Sequence, residues 1–154
     1  MGLVWGWELQ NHRFKMPVPP PGEACALRCL VIEDEEMDQI SLTRHLRKIT
    51  TAHFDLDFVN SLVTARQHLI AGCYDIVFVD HHLPDGFGAK FLAEMQSSGL
   101  ARWAKAVLLT GLAEHAKTFA DTSRVAVLEK GEFTTDDLAD ELMDVIGKKA
   151  VTSI

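Results

Sequence analysis

The stretch Asp75-Ile76-Val77-Phe78-Val79-Asp80-His81-His82-Leu83-Pro84-Asp85-Gly86 decides how this chain reads. Its unbroken apolar run, bounded by turn residues, has the pattern of a strand covered on both faces, as in a parallel sheet between helices. The run ends on a carboxylate, Asp80, with a Pro/Gly loop directly behind it. Open α/β sheets bind their ligands outside the C-terminal ends of the strands, which makes Asp80 the first candidate functional residue. Three further segments repeat the arrangement. Leu30-Val31-Ile32 runs into Glu33-Asp34, Val107-Leu108-Leu109 into Thr110-Gly111, and Val127-Leu128-Glu129 into Lys130-Gly131.

Between these segments the apolar period changes to that of helices. A first strand is expected at 27–32 and a helix at 36–50, with Leu42, Leu46 and Ile49 on one face. A second strand at 54–59 sets Phe54, Leu56 and Phe58 against Asp55 and Asp57, the alternation of a less buried strand. A helix at 62–71 stops at Gly72, the third strand is 75–80, and a helix at 86–97 is closed by Gly99. The fourth strand is 104–110, with a short, weakly patterned helix near 113–119, and the fifth is 124–129. A last helix opens at the capping box Thr134-x-x-Asp137 and buries Leu138, Leu142, Val145 and Ile146.

Five strands alternating with five helices give an α/β fold, a doubly wound parallel sheet with helices on both faces. Right-handed crossovers leave few topologies, and among them the flavodoxin-like strand order 2-1-3-4-5, with the first and third strands adjacent at the switch point, is the one expected. That order brings Glu33, Asp34 and Asp80 together, while Thr110 and Lys130 approach from the other side. An acid pair, a further acid, a hydroxyl and an amine at one sheet edge suit an aspartyl-phosphate site. A carboxylate can attack phosphorus to form an acyl phosphate, and phosphoryl transfer is catalysed chiefly by positioning and charge neutralisation. Three acids side by side need a compensating cation. Mg²⁺ fits, because it takes a few carboxylates and fills its other positions with water, carbonyl or phosphate oxygen. The loop at His82 is placed to offer a backbone carbonyl, Lys130 a point charge and Thr110 a hydrogen bond to a phosphoryl oxygen.

Composition narrows the partners. With 154 residues the chain is large enough for one core without staples, and 47% apolar with 24% charged residues is ordinary for a globular protein. A formal net charge of −7, with no Lys/Arg-rich run, argues against a nucleic-acid surface. No apolar stretch reaches the roughly 18 residues of a membrane span. Cys25, Cys29 and Cys73 lack metal-site spacing and read as thiols of a reducing compartment. The first residues lack the apolar block of a signal peptide, so a cytoplasmic protein is expected. Residues 1–24 read as an extension, with Trp5, Trp7 and the polyproline-type spacer Pro17-Val18-Pro19-Pro20-Pro21-Gly22. Residues 25–148 form the domain and 149–154 a short tail.

Taken together, Cys29-Leu30-Val31-Ile32-Glu33-Asp34-Glu35, the segment from Asp75 to Gly86, Val107-Leu108-Leu109-Thr110-Gly111 and Val127-Leu128-Glu129-Lys130-Gly131 resemble the receiver domain of two-component response regulators. The intervals from Asp34 to Asp80, Thr110 and Lys130 are 46, 30 and 20 residues, in the family's order. The resemblance covers roughly 26–147. It implies that Asp80 is phosphorylated by a partner's phosphohistidine, from a sensor histidine kinase or a histidine phosphotransfer protein. It implies Mg²⁺ held by Glu33, Asp34, Asp80 and the His82 carbonyl, with Thr110 and Lys130 gripping the phosphoryl group. Phosphorylation then acts on the surface after the fourth and fifth strands, with the loop at Gly111-Leu112-Ala113 as the element shifted. His82 and Leu112 occupy positions that tune the lifetime of the phosphoryl group in this family. The expectation is a stand-alone receiver acting through a downstream protein or in a phosphorelay rather than as an enzyme, with a homodimer among the states left open.

The sequence departs from the family in three places. Gly131 follows Lys130 where the family usually has Pro, Val127 stands where an aromatic partner of the threonine is common, and Glu33 replaces the commoner Asp. Two alternatives stay open beside the phosphorylated receiver. One is a pseudo-receiver that binds partners without being phosphorylated. The other is a haloacid-dehalogenase-like phosphatase, disfavoured because its general-acid Asp would stand at His82. Adjacent side chains diverge, so His81 and His82 are expected to be ordinary loop residues.

Overall fold

The computed structural model describes residues 13–14, 25–111 and 125–152, and at its centre lies the apolar run that ends at Asp80. Along the chain the strands are β1 (Arg13–Phe14), β2 (Cys25–Ile32), β3 (Ala52–Val59), β4 (Ile76–Asp80), β5 (His82–Leu83), β6 (Gly86–Phe87), β7 (Lys105–Thr110) and β8 (Ala126–Glu129). The described helices are α1 (Glu36–Lys48), α2 (Leu62–Ala71), α3 (Gly88–Ser98) and α4 (Thr135–Thr152). The main sheet has the order β1-β3-β2-β4-β7-β8. Its five strands from β3 to β8 run parallel, so counted along the chain their order is 2-1-3-4-5, the flavodoxin-like arrangement.

Each parallel strand divides its residues between two helix layers, because successive side chains leave opposite faces of the sheet. In β4, Ile76 and Phe78 join Leu27, Cys29 and Val31 under Leu42 and Leu46 of α1 and Leu138 and Leu142 of α4. Val77 and Val79 join Leu30 and Ile32 under Ala65 and Leu69 of α2 and Phe91, Leu92 and Met95 of α3. All five residues of β4 are buried, which is why its sequence is continuous rather than alternating. Asp80 is the place where that buried run reaches the sheet edge.

Helix ends follow local chemistry. The box at Thr134 closes reciprocally: Thr134 N–H donates to Asp137 Oδ2 at 2.8 Å and Asp137 N–H to Thr134 Oγ1 at 3.1 Å. Ser61 caps α2 by accepting from Thr64 N–H at 3.2 Å. A carboxylate from across the sheet edge caps the same helix, Asp85 accepting from Leu62 N–H at 2.9 Å and Val63 N–H at 3.0 Å.

Several expectations are corrected. Helix α4 runs on to Thr152, into the tail assigned to 149–154, because Lys148 and Lys149 are good helix formers and nothing there breaks the turn. Gly86–Phe87 is not the first turn of a helix but pairs antiparallel with His82–Leu83, so α3 starts at Gly88. The outer side of β3 is covered by β1, whose residues Arg13 and Phe14 pair antiparallel with Asp57 and Leu56, so part of the 1–24 extension belongs to the sheet. Asp57 is buried, accepting a hydrogen bond from Tyr74 Oη at 2.7 Å and lying 3.5 Å from Arg28 Nη2. The short helix expected near 113–119, Leu112, and Trp5 and Trp7 lie outside the described residues.

Candidate functional site

Asp80 sits between β2 and β7 at the tip of β4, and the strand register carries its neighbours to the same edge. Ile32 pairs with Val79, which delivers Glu33 and Asp34 beside Asp80. Leu109 pairs with Asp80, so Thr110 lies one residue further out, and Thr110 pairs with Glu129, which brings Lys130 next. Two backbone bonds fasten the edge: His81 N–H to the Leu109 carbonyl at 2.9 Å and Lys130 N–H to the Thr110 carbonyl at 2.8 Å. On the helix side Gly88 lies so close that a Cβ there would collide with the Asp80 carbonyl oxygen, and its N–H donates to the His81 carbonyl at 2.8 Å. Only a glycine lets α3 begin this near the strand tip.

Lys130 is the centre of the ionic geometry. Its Nζ lies 2.7 Å from Glu33 Oε2, 2.8 Å from Asp38 Oδ2 and 3.0 Å from Asp80 Oδ1. Glu33, Asp80 and Thr110 are buried, while Asp34 is exposed. Glu33 Oε1 accepts from Glu35 N–H at 3.0 Å, and the Glu33 carbonyl from Gln39 Nε2 at 2.7 Å, which fixes the turn leading into α1. Burial drives the Glu33 carboxyl up; Lys130 and Glu35 N–H pull it back, the Asp80 charge adds to the rise, and it ends at about 7. For Lys130 burial works downward, but the hydrogen bonds to Asp38, Glu33 and Asp80 override it and hold the amine above the usual lysine range.

The carboxylates of Glu33, Asp34 and Asp80 offer ligand atoms that all lie within 4.8 Å of one another. An all-oxygen donor set with carboxylates in excess of the one ammonium fits a hard divalent cation. The site residues expected from the sequence divide clearly. Glu33, Asp80 and Lys130 are in direct contact, Asp34 lies within reach as a further ligand, and Thr110 stands at the next strand end. His82 begins the hairpin behind Asp80, with its N–H 3.4 Å from Asp80 Oδ1 and its side chain exposed. The rings of His81 and His82 do not diverge. They meet edge-on at a centroid distance of 4.8 Å, and both pack on Phe87, at 5.4 and 5.6 Å.

Asp38, in the first turn of α1, is the contact the sequence reading missed. The signal was its place as an acid in the first turn of the helix that directly follows Glu33 and Asp34, which keeps it near the same sheet edge. At Gly131 the chain turns through the left-handed region (φ 81°), closed by Glu132 and Phe133 N–H groups donating to the Glu129 carbonyl at 3.1 Å. That conformation, closed to a residue with a proline ring, explains why a glycine follows Lys130.

No protein-family model matches the chain, and no curated protein matches its sequence. Solved structures do match its fold. A sensor protein from a Polaromonas species is 22% identical, with 80% of this chain and 98% of that one aligned at a TM-score of 0.66. A CheY-like response regulator receiver domain from Methylobacillus flagellatus is likewise 22% identical, over 78% of this chain and 98% of that one, also at 0.66. The fold is that of a response-regulator receiver domain. A third such neighbour, the receiver domain of a sensor histidine kinase from Pseudomonas aeruginosa, is 21% identical over 79% of this chain and 98% of that one at 0.64. That protein holds a magnesium ion in its active-site cleft. Among the described residues no helix is long and apolar enough to cross a membrane.

Proposed function

We propose that this receiver domain takes a phosphoryl group on Asp80 from the phosphohistidine of a sensor histidine kinase or a histidine phosphotransfer protein. The observation that carries the reading is a buried carboxylate at the tip of the central strand, 3.0 Å from a lysine ammonium and flanked by two further acids. An Asp80 oxygen forms a bond to phosphorus while the bond from phosphorus to the donor's imidazole nitrogen breaks. The electron pair returns to that nitrogen, which takes up a proton, and Asp80 becomes an acyl phosphate. Lys130 neutralises the charge of the phosphoryl oxygens, and Thr110 offers its hydroxyl to one of them.

Glu33, Asp34 and Asp80, with the His82 backbone carbonyl, would hold Mg²⁺. When bound, the ion offsets the negative charge gathered around the phosphorus. The protein is a signalling domain rather than a turnover enzyme, and its output is phosphorylation-dependent binding of a downstream protein or onward transfer in a phosphorelay. Phosphorylation replaces the single negative charge of the Asp80 carboxylate by a phosphoryl group carrying about −1.5 to −2, which draws on Lys130 and Thr110 and so reaches the ends of β7 and β8.

Intact-mass measurement after incubation with acetyl phosphate tests the reading. A Mg²⁺-dependent adduct of about 80 Da, one phosphoryl group, is expected on the wild type and absent from Asp80→Asn. An adduct that survives Asp80→Asn, or none with acetyl phosphate or a phosphorylated histidine donor, would refute it.

A further inference from the structure

The ammonium of Lys130 has three N–H donors, and three carboxylates take them at 2.7, 2.8 and 3.0 Å. Glu33 and Asp80 belong to the site already described. Asp38 does not: it lies outside the acid group that could hold a metal, and it reaches the lysine from the first turn of α1. A phosphoryl oxygen arriving on Asp80 needs a Lys130 donor, so one of the three bonds has to open. Opening the bond to Glu33 or Asp80, whose side chains are 1% and 7% exposed, would make a buried carboxyl lose its cation or take up a proton, at a cost either way. The Asp38 side chain is 40% exposed, and water can take over its hydrogen bond.

We infer that Asp38 is a placeholder for the phosphoryl group: it occupies the third donor of Lys130 in the resting protein and yields it when Asp80 is phosphorylated. This rests on the phosphoacceptor reading given above. Asp38 is then a positioning residue that acts through the lysine. Its effect has one sign at both ends of the cycle. Before transfer it competes for the amine and sets a negative charge in the path of an anionic donor, which slows loading. After transfer it pulls on the same amine, which shortens the life of the acyl phosphate. Because the pair is partly exposed, each effect is about two- to fivefold and weakens with salt.

The test uses the full chain at saturating Mg²⁺, comparing the wild type with Asp38→Ala, Asp38→Asn and Asp38→Glu. Acetyl phosphate is the donor, and the adduct is followed by intact mass during loading and after donor removal. Asp38→Ala and Asp38→Asn are expected to load about two- to fivefold faster and lose the group more slowly by a similar factor. Asp38→Glu returns both rates toward wild type, and the gain shrinks at high salt. Urea midpoints of all four proteins report folding separately. If Asp38 merely props the lysine in place, the neutral variants load more slowly and lose the group faster, which overturns the inference. Unchanged rates overturn it too, while leaving the phosphoacceptor reading intact. A wild type that takes up no phosphoryl group would sink both at once.

Discussion

Replacing Lys130 by Met removes the cation from a buried acid group while keeping most of the side chain's length and its apolar stem. At the 2.7 Å Glu33 contact, two unit charges at an effective dielectric constant of about 20 attract by about 6 kcal/mol. Much of that offsets the desolvation of the ions, and breaking one partner of a buried pair costs about 3–5 kcal/mol net. Lys130 is 20% and Asp38 40% exposed, which lowers the figure. Glu33 can also escape by taking up a proton, since its carboxyl already stands at about 7 with the lysine present. In metal-free buffer near pH 8 the loss is therefore about 2–3 kcal/mol, or roughly 4–12 °C in Tm for a chain of this size. Near pH 5 the neutralised Glu33 cuts the loss to about 1 kcal/mol. Urea denaturation of wild type and Lys130→Met at the two pH values measures the difference. Equal losses at both, or less than about 0.5 kcal/mol near pH 8, would refute the view that Lys130 holds an otherwise repulsive acid group together.

Two further outcomes follow from the same geometry. Because the folded-state carboxyl of Glu33 is raised from an ordinary 4.5 to about 7, the folded protein binds the extra proton between those values. Metal-free stability contributed by this group is full below about 4.5 and lost as pH rises through about 7; Glu33→Gln should flatten that slope in pH-dependent urea titrations, and an unchanged slope would assign it to another group. Gly88→Ala should destabilise by about 1–3 kcal/mol and slow phosphoryl uptake at Asp80, because its Cβ meets the Asp80 carbonyl; a stable, normally loading variant would show that the strand tip yields freely.

The sheet was legible because its signal is long and redundant. Each strand's apolar run is read twice, once by its period and once by the polar residue where it stops, and handed crossovers then leave few strand orders. Glu33, Asp80, Thr110 and Lys130 could be brought to one edge from the sequence because strand ends in a parallel sheet share that edge. Asp38 could not, since a first-turn acid is a common helix feature and its aim at Lys130 depends on how α1 is seated. The β5–β6 hairpin escaped for a related reason: strands of two residues carry too little period to see. Asp57 looked solvent-facing by alternation, yet Tyr74, far along the chain, covers it.

The two hydrogen bonds from the start of α2 to Asp85 have a mechanical meaning. Slight burial works against them, but the Leu62 and Val63 N–H groups hold the Asp85 carboxyl below its usual range, so the tie persists into mildly acidic solution. With Gly88 seated on the Asp80 carbonyl, the loop behind the acid is pinned at both of its ends. One flank of Asp80 therefore behaves as a stator. On the proposed phosphorylation of Asp80, displacement would pass to the opposite flank, through the contacts of Lys130 and the strand ends at Thr110 and Glu129.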